Sequence, residues 1–174
     1  MSLLEILQNR HSVRKYTKEP IPEETLMTVL QAGLLSASSR SLRPWEIIVV
    51  KERAVLEKLS DCRVGSAKML AGAQAAIVVV ADSTASDVWI EDCSIVMSNM
   101  HLMADSLGLG SCWIQGRLRV TPNGETTEDY LRKFLGYPKT YVLEAVLSLG
   151  MPQNHPAKQE LSALPLDKIH WEKF

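Results

Sequence analysis

The stretch Val88–Gly116, VWIEDCSIVMSNMHLMADSLGLGSCWIQG, holds a change of conformational period that sets the frame for the rest of the chain. From about Val88 to Leu107 the apolar residues Ile95, Val96, Met100, Leu102, Met103 and Leu107 fall on most faces of a helix, the mark of a helix buried at the centre of a fold. Gly108 and Gly110 stop it, and Ser111–Gln115 resumes as a strand. Outward from this core, Glu46–Val50, Ala75–Ala81 and Tyr141–Leu149 are short, apolar and rich in β-branched residues, and read as buried strands. Pro22, Glu23 and Glu24 open a helix whose stripe Leu26, Val29, Leu30, Leu34 and Ala37 carries it to about Ser38. Thr126 and Thr127 cap another, with Tyr130, Leu131, Phe134 and Leu135 as its apolar side and Gly136 as its stop. Helices alternate with strands, which implies a sheet layered between helices without establishing a regular βαβ winding.

The 174 residues, 46% of them hydrophobic, suit one domain with one substantial core. A formal net charge of −1 gives no basic field for nucleic acid or anionic lipid. Cys62, Cys93 and Cys112 are odd in number and widely spaced, so they suggest neither a disulfide framework nor a metal knuckle, and fit a reducing compartment. With no apolar run near the roughly 20 residues of a membrane span and no signal-peptide core, the expectation is a soluble, cytoplasmic protein with no membrane or nucleic-acid partner. After Gly150, Pro152, Pro156 and Pro165 break up a tail that ends in His170, Trp171 and Phe174. Such a tail needs a surface to lie on, and a second subunit is one candidate.

The sharpest chemical feature is RHSVRKY, Arg10–Tyr16, which with Lys18 places four Lys or Arg in nine residues without a carboxylate, just after a short helix. Arg10, Ser12 and Arg14 alternate on an extended segment and together offer the guanidinium forks and hydroxyl that a phosphate monoester requires, although a solvated basic loop has the same composition. Other candidates are weaker. Gly108-Leu109-Gly110 follows a helix rather than a strand and lacks the third glycine of a dinucleotide loop. His101 has no second ligand at metal spacing and reads as a core or interface histidine, as do His155 and His170. Glu91 and Asp92 are adjacent and face apart, which reads as solvation. Ser111 and Cys112 lack a partner base and read as packing.

RHSVRKY resembles the Arg-Arg-Ser-hydrophobic-Arg-x-Tyr/Phe opening of the nitroreductase family, and the likeness runs on through most of the chain. Leu35–Ile47, LSASSRSLRPWEI, is similar to the family's Ala-Pro-Ser-Ser-x-Asn-x-Gln-Pro-Trp-x-Phe segment, with Ala37, Ser41 and Arg43 standing where proline, asparagine and glutamine are usual. Leu107–Gly116 resembles its Gly-x-Gly-Ser/Thr-x-Trp-x-x-Gly strand, Ser148–Pro152 its Gly-x-Pro turn, and Leu164–Trp171 its closing His-Trp segment.

The resemblance implies an α+β, three-layer fold, with a central mostly antiparallel sheet flanked by helices, in an intertwined homodimer. It implies one domain over residues 1–174, with the tail 152–174 crossing onto the partner, and FMN bound at the subunit interface. Arg10, His11, Ser12, Arg14 and Lys158 would hold the phosphate and ribityl chain, with Glu160 where a second basic residue is usual. Ala37, Ser38, Ser39 and Ser41 would reach the same flavin from the other subunit. Trp113, Ile114, Gln115 and Gly116 would border the ring, the amides of Gln115 and Gly116 meeting N5 and O4. Lys68 would approach the pyrimidine edge, where negative charge gathers on reduction. The implied activity takes electrons from NADH or NADPH as co-substrate to a nitroaromatic, quinone or similar small molecule by a ping-pong mechanism. A flavin-binding module with little turnover, a specialised dehalogenase or dehydrogenase relative, and a flavin-free phosphate-binding interaction domain remain alternatives.

Overall fold

A computed structural model describes all residues, 1–174. Its sheet has four strands, β1 (Trp45–Val50), β2 (Ala75–Asp82), β3 (Gly110–Gln115) and β4 (Tyr141–Gly150), in the order β1-β2-β4-β3 with every neighbouring pair antiparallel. The α+β architecture expected from the sequence is therefore present, and β1 and β3 are its two edges. The helices are α1 (Leu3–Asn9), α2 (Glu23–Leu34), α3 (Arg53–Leu59), α4 (Trp89–Ser106) and α5 (Thr127–Leu135).

Alternation along the strands sorts the core into two faces. Ala75, Ile77, Val79 and Ala81 of β2 pack with Ala145, Leu147 and Leu149 of β4 beneath α4, which α2 covers in turn. Ala76, Val78 and Val80 point the other way, onto Leu56 and Leu59 of α3, Leu70 and Leu131 of α5. Gly33 lets α2 come close to α4, since a Cβ there would lie 2.9 Å from the Met100 sulfur. α4 ends in a Schellman cap, with Gly108 at φ 76, its N–H on the Asp105 carbonyl and the Leu109 N–H on that of Ala104. Gly108 is the helix stop that the sequence indicates.

Three expectations need correction. α2 ends at Leu34 rather than near Ser38, because the chain turns extended at Ser38 (ψ 155) and enters a short 3-10 turn at Ser39–Ser41. α4 is buried along one face only, since Ile95 and Leu107, expected inside, are 41% and 40% exposed, while α3 and a 3-10 turn at Lys68–Gly72 fill the helical segment between β1 and β2, which the sequence left without bounds. Asp92 is buried rather than solvated, whereas its neighbour Glu91 is exposed.

A β-bulge interrupts β4. Val79 pairs with Ala145 and Val80 with Leu143, so Glu144 is the extra residue. Its carbonyl accepts from the N–H of Gly116 (3.2 Å), the N–H of Arg117 (2.9 Å) and Nε2 of Gln115 (3.4 Å), fixing the chain as it leaves β3.

Residues 10–17 dock across the ends of β3 and β4. Ser12 bridges Ser111, the Val13 N–H reaches the Ser111 carbonyl at 2.9 Å, and Tyr16 bridges Pro152 while its hydroxyl meets Ser148 at 2.7 Å. Glycine makes room for this. A Cβ on Gly110 would lie 2.6 Å from a Val13 methyl, and one on Gly150 would lie 2.6 Å from the Tyr16 ring. Gly150→Ala should therefore lower stability by about 1–3 kcal/mol through overpacking, read as a lower urea midpoint. Gly72→Ala, with nothing within 4 Å of the added carbon, is the control. Equal midpoints for the two variants would remove the docking argument.

Candidate functional site

β3 is an edge strand, so every second backbone amide points away from β4. The Ser111 carbonyl faces outward to Val13, whereas the Gly116 N–H faces inward to Glu144. By the same alternation, the amides of Trp113 and Gln115 face the open edge, and the Gln115 carbonyl there accepts from Nη1 of Arg63 at 3.1 Å. Of the two expected ring donors, Gln115 thus has its N–H on the open side and Gly116 has its N–H committed within the sheet. The Trp113 indole donates to Oε1 of Gln115 at 2.9 Å, which sets the plane of that side chain. Ile114 is buried on the opposite face, among the α3 and α5 contacts, so only its backbone belongs to the edge.

The N-terminal half of the same edge carries the basic segment. Arg10 extends Nη1 to Nε2 of His101 at 3.1 Å, and Nδ1 of His101 meets the Ser111 hydroxyl. Arginine only donates, so Nε2 accepts and Nδ1 carries the proton. Burial, followed by the Arg10 charge, holds the His101 pKa down at about 4. Arg14 is exposed, with Nη1 3.2 Å from the Ser12 carbonyl. His11 bonds its own chain at the Asn9 carbonyl (2.7 Å) and sets its ring edge-on to His155, with centroids 5.9 Å apart.

The proximal tail joins this group from the same chain. The Gln153 N–H reaches the Lys15 carbonyl at 3.0 Å, and Gln159 exchanges two bonds of 2.9 Å with Gln8, which brings Lys158 to the end of α1 beside Glu5. His155 places Nε2 2.9 Å from Oδ1 of Asp105 and Nδ1 2.8 Å from the Pro156 carbonyl. Both partners are acceptors, so the two bonds are made together only when both ring nitrogens carry protons, as in the imidazolium. Partial burial opposes that charge, but the Asp105 bond, the carbonyl and the Asp105 charge outweigh it and hold the pKa above its ordinary value.

Ala37, Ser38, Ser39 and Ser41 lie elsewhere, at the β1 edge and the opposite end of α4. The Ser39 N–H donates to Oδ1 of Asp92 at 2.8 Å, and the Ser38 hydroxyl accepts from the Arg43 N–H at 2.9 Å. Arg40, Ser41 and Arg43 all have positive φ (53, 55 and 47). Asparagine adopts that region more readily than most residues, which gives a backbone reason for the asparagine that the resembling pattern carries at position 41.

Lys68 is exposed and paired with Asp61. Arg63, which sequence reasoning did not single out, is the cation that touches the edge, and its buried Nε has no partner. Glu144 also went unnoticed. Its carboxyl is buried with Oε2 unpaired, and burial raises its pKa against the opposing Gln115 bond and Arg117 charge. A cleft of about 510 Å³ opens beside Gly116, lined by Trp89, Arg117, Arg119, Glu128 and Leu143 among others. All three cysteines are free and buried, as packing residues should be. No helix is long and apolar enough to cross a membrane.

Residues 7–63 and 52–151 match the profile of the Nitroreductase family. A protein of Archaeoglobus fulgidus is 37% identical over 98% of this chain and 98% of its own length. One of Methanothermobacter thermautotrophicus is 35% identical over 100% of this chain and 88% of its own. Both bear names that pair NADH dehydrogenase with NAD(P)H nitroreductase. Among solved structures, the FMN-dependent nitroreductase of Clostridium difficile R20291 has a TM-score of 0.95 and 40% identity, over 98% of this chain and 99% of that one.

The two histidines give opposite pH dependences. His155, with its pKa raised, contributes stability that is full below about pH 6.5 and lost as pH rises through its folded value. His101, with its pKa lowered to about 4, makes stability fall as pH drops from about 6.5 toward that value, because only the unfolded chain takes up the proton. His155→Ala should accordingly cost more in urea unfolding at about pH 5.5 than at about pH 8.5. An equal cost at both would show that the imidazolium assignment is wrong.

Proposed function

The chain belongs to the nitroreductase family, and from that membership and the layout of the β3 edge we propose that it holds FMN along that edge and passes electrons from NADH or NADPH to a nitroaromatic, quinone or similar small molecule. The observation that carries the reading is the meeting, along one strand edge, of a phosphate-fitting cluster at one end and outward amides at the other.

The cluster fits the phosphate end of FMN. Arg10, His11, Ser12, Arg14 and Lys158 offer cations and a hydroxyl within one patch, and charge-assisted bonds of this kind select a dianion over a neutral group. The open amide of Gln115 suits the N5 side of the ring, whereas Gly116 makes room for Leu143, since a Cβ there would lie 2.4 Å from a Leu143 methyl. Lys68 is proposed for the pyrimidine edge, joined by Arg63, whose unpaired Nε already lies at the end of β3. Bound there, FMN supplies hydride acceptance and electron delivery. The protein supplies position, hydrogen-bond donors and positive charge near the pyrimidine edge. One open site would serve the nicotinamide and the acceptor in turn, which is the ping-pong order.

A homodimer completes the site. The Ala37–Ser41 segment precedes the β1 edge and the cluster borders the β3 edge, with α4 packed across the face between them. A ligand on β3 therefore meets Ala37, Ser38, Ser39 and Ser41 only from a second chain. Exposed apolar groups support that pairing: Leu3, Leu4 and Leu7 on α1, Leu34 and Leu35 at the end of α2, and Trp171 and Phe174 in the tail. Since the tail is bonded to its own chain through Gln159, the part that crosses is 160–174, and Lys158 serves the same subunit as Arg10.

The direct experiment is the visible spectrum of the purified protein before and after anaerobic addition of NADH or NADPH. Flavin bands that bleach are expected. Bands that persist would indicate a flavin-binding module without turnover, and a protein that takes up no added FMN would end the reading. Arg10→Ala removes a charge-assisted contact and should weaken FMN binding at least about tenfold while leaving the fold intact. Sedimentation should show a dimer, and a flavin-loaded monomer would contradict a shared site.

A further inference from the structure

Two stretches far apart in sequence build the phosphate end of the site, Asn9–Arg14 and His155–Lys158, and one buried carboxylate touches both. Asp105 accepts from Nδ2 of Asn9 on Oδ2 and from Nε2 of His155 on Oδ1, each at 2.9 Å, and is only 6% exposed. It lies one helical turn beyond His101, which holds Arg10, so a single face of α4 supports the cluster from beneath. We propose that Asp105 is a positioning residue that ties the N-terminal segment to the tail segment through Asn9 and His155, and that this tie gives the site its preference for a phosphorylated flavin over riboflavin. The inference rests on the FMN reading above and adds to it a residue that touches no ligand.

The arrangement answers an apparent contradiction. A carboxylate beneath a phosphate site should repel the ligand, yet the His155 imidazolium neutralises Asp105 at contact distance. Arg10 and Arg14 are left without an ion-pair partner, while Lys158 interacts with Glu5. Once the tie is lost, the tail around Lys158 is held through the Gln8–Gln159 bonds and, farther back, the Gln153–Lys15 bond.

Sign separates positioning from plain charge. Asp105→Asn is nearly isosteric, but an amide presents one acceptor and one donor group, so it cannot accept from both Asn9 and His155. If Asp105 acted only as a nearby negative charge, its removal would strengthen FMN binding. Positioning predicts the reverse. The full-length protein, stripped of flavin, would be titrated with FMN and with riboflavin by fluorescence. The wild type should prefer FMN. Asp105→Asn should weaken FMN by at least about tenfold and leave riboflavin within about twofold. His155→Ala should do the same, and His155→Gln, whose amide N–H restores the bond to Asp105 but not the charge, should recover part of the loss. This second pair keeps the test available if Asp105→Asn fails to fold, since the His155 side chain is already 27% exposed. FMN affinity that is unchanged or higher in Asp105→Asn, or a parallel loss of FMN and riboflavin, would overturn the proposal while leaving the flavin reading standing. A wild type that binds neither flavin would overturn both.

Discussion

The buried face of α4 leaves no room for an unpaired polar side chain, yet it carries three polar groups, Asp92, His101 and Asp105, each less than a tenth exposed. A buried donor or acceptor without a partner costs about 1–3 kcal/mol, and a charged one more. The requirement to satisfy these three groups shapes much of the molecule. Asp92 draws in the Ser39 amide and the Ser86 hydroxyl. His101 draws in Arg10 and Ser111, and Asp105 draws in Asn9 and His155. Segments with little apolar anchorage of their own are thus held in place by polar demand from the core, and these are the segments that bear the candidate ligand contacts.

The sheet contributes an edge. Inner strands β2 and β4 spend their backbone groups on neighbours, whereas β3 has one side free beyond the point where residues 12–13 cover it. An open edge ordinarily invites pairing with another chain. Here Trp113 and Gln115 lock their side chains together across the strand, and Arg63 occupies the Gln115 carbonyl, so the free stretch is short.

The elements with strong period were legible. α4 as a long helix, the three apolar strands, the Gly108 stop and the Thr126 cap follow from local pattern, and the resemblance in RHSVRKY and GSCWIQG extended that to an α+β family fold. α3 was not legible, since seven residues with only Leu56 and Leu59 fully buried give too short a period to read. Nor were the roles of His101, Asp105 and Asp92. Each looks like an ordinary polar helix residue until a partner arrives from 50 to 96 positions away. Arg63 and Lys68 show the same limit from the other side, because a lone cation in a loop carries no mark of which strand it will touch.

The bulge at Glu144 can be seen as a phase slip in a wave. Up to Leu143 the side chains of β4 alternate in one phase with β2, and from Ala145 they alternate in the shifted phase. Chain length at this point is therefore as informative as chemistry. Losing Glu144 would let β4 run as a regular strand, with Tyr141–Leu143 still opposite the same β2 residues. It would also remove the one carbonyl that gathers Gln115, Gly116 and Arg117.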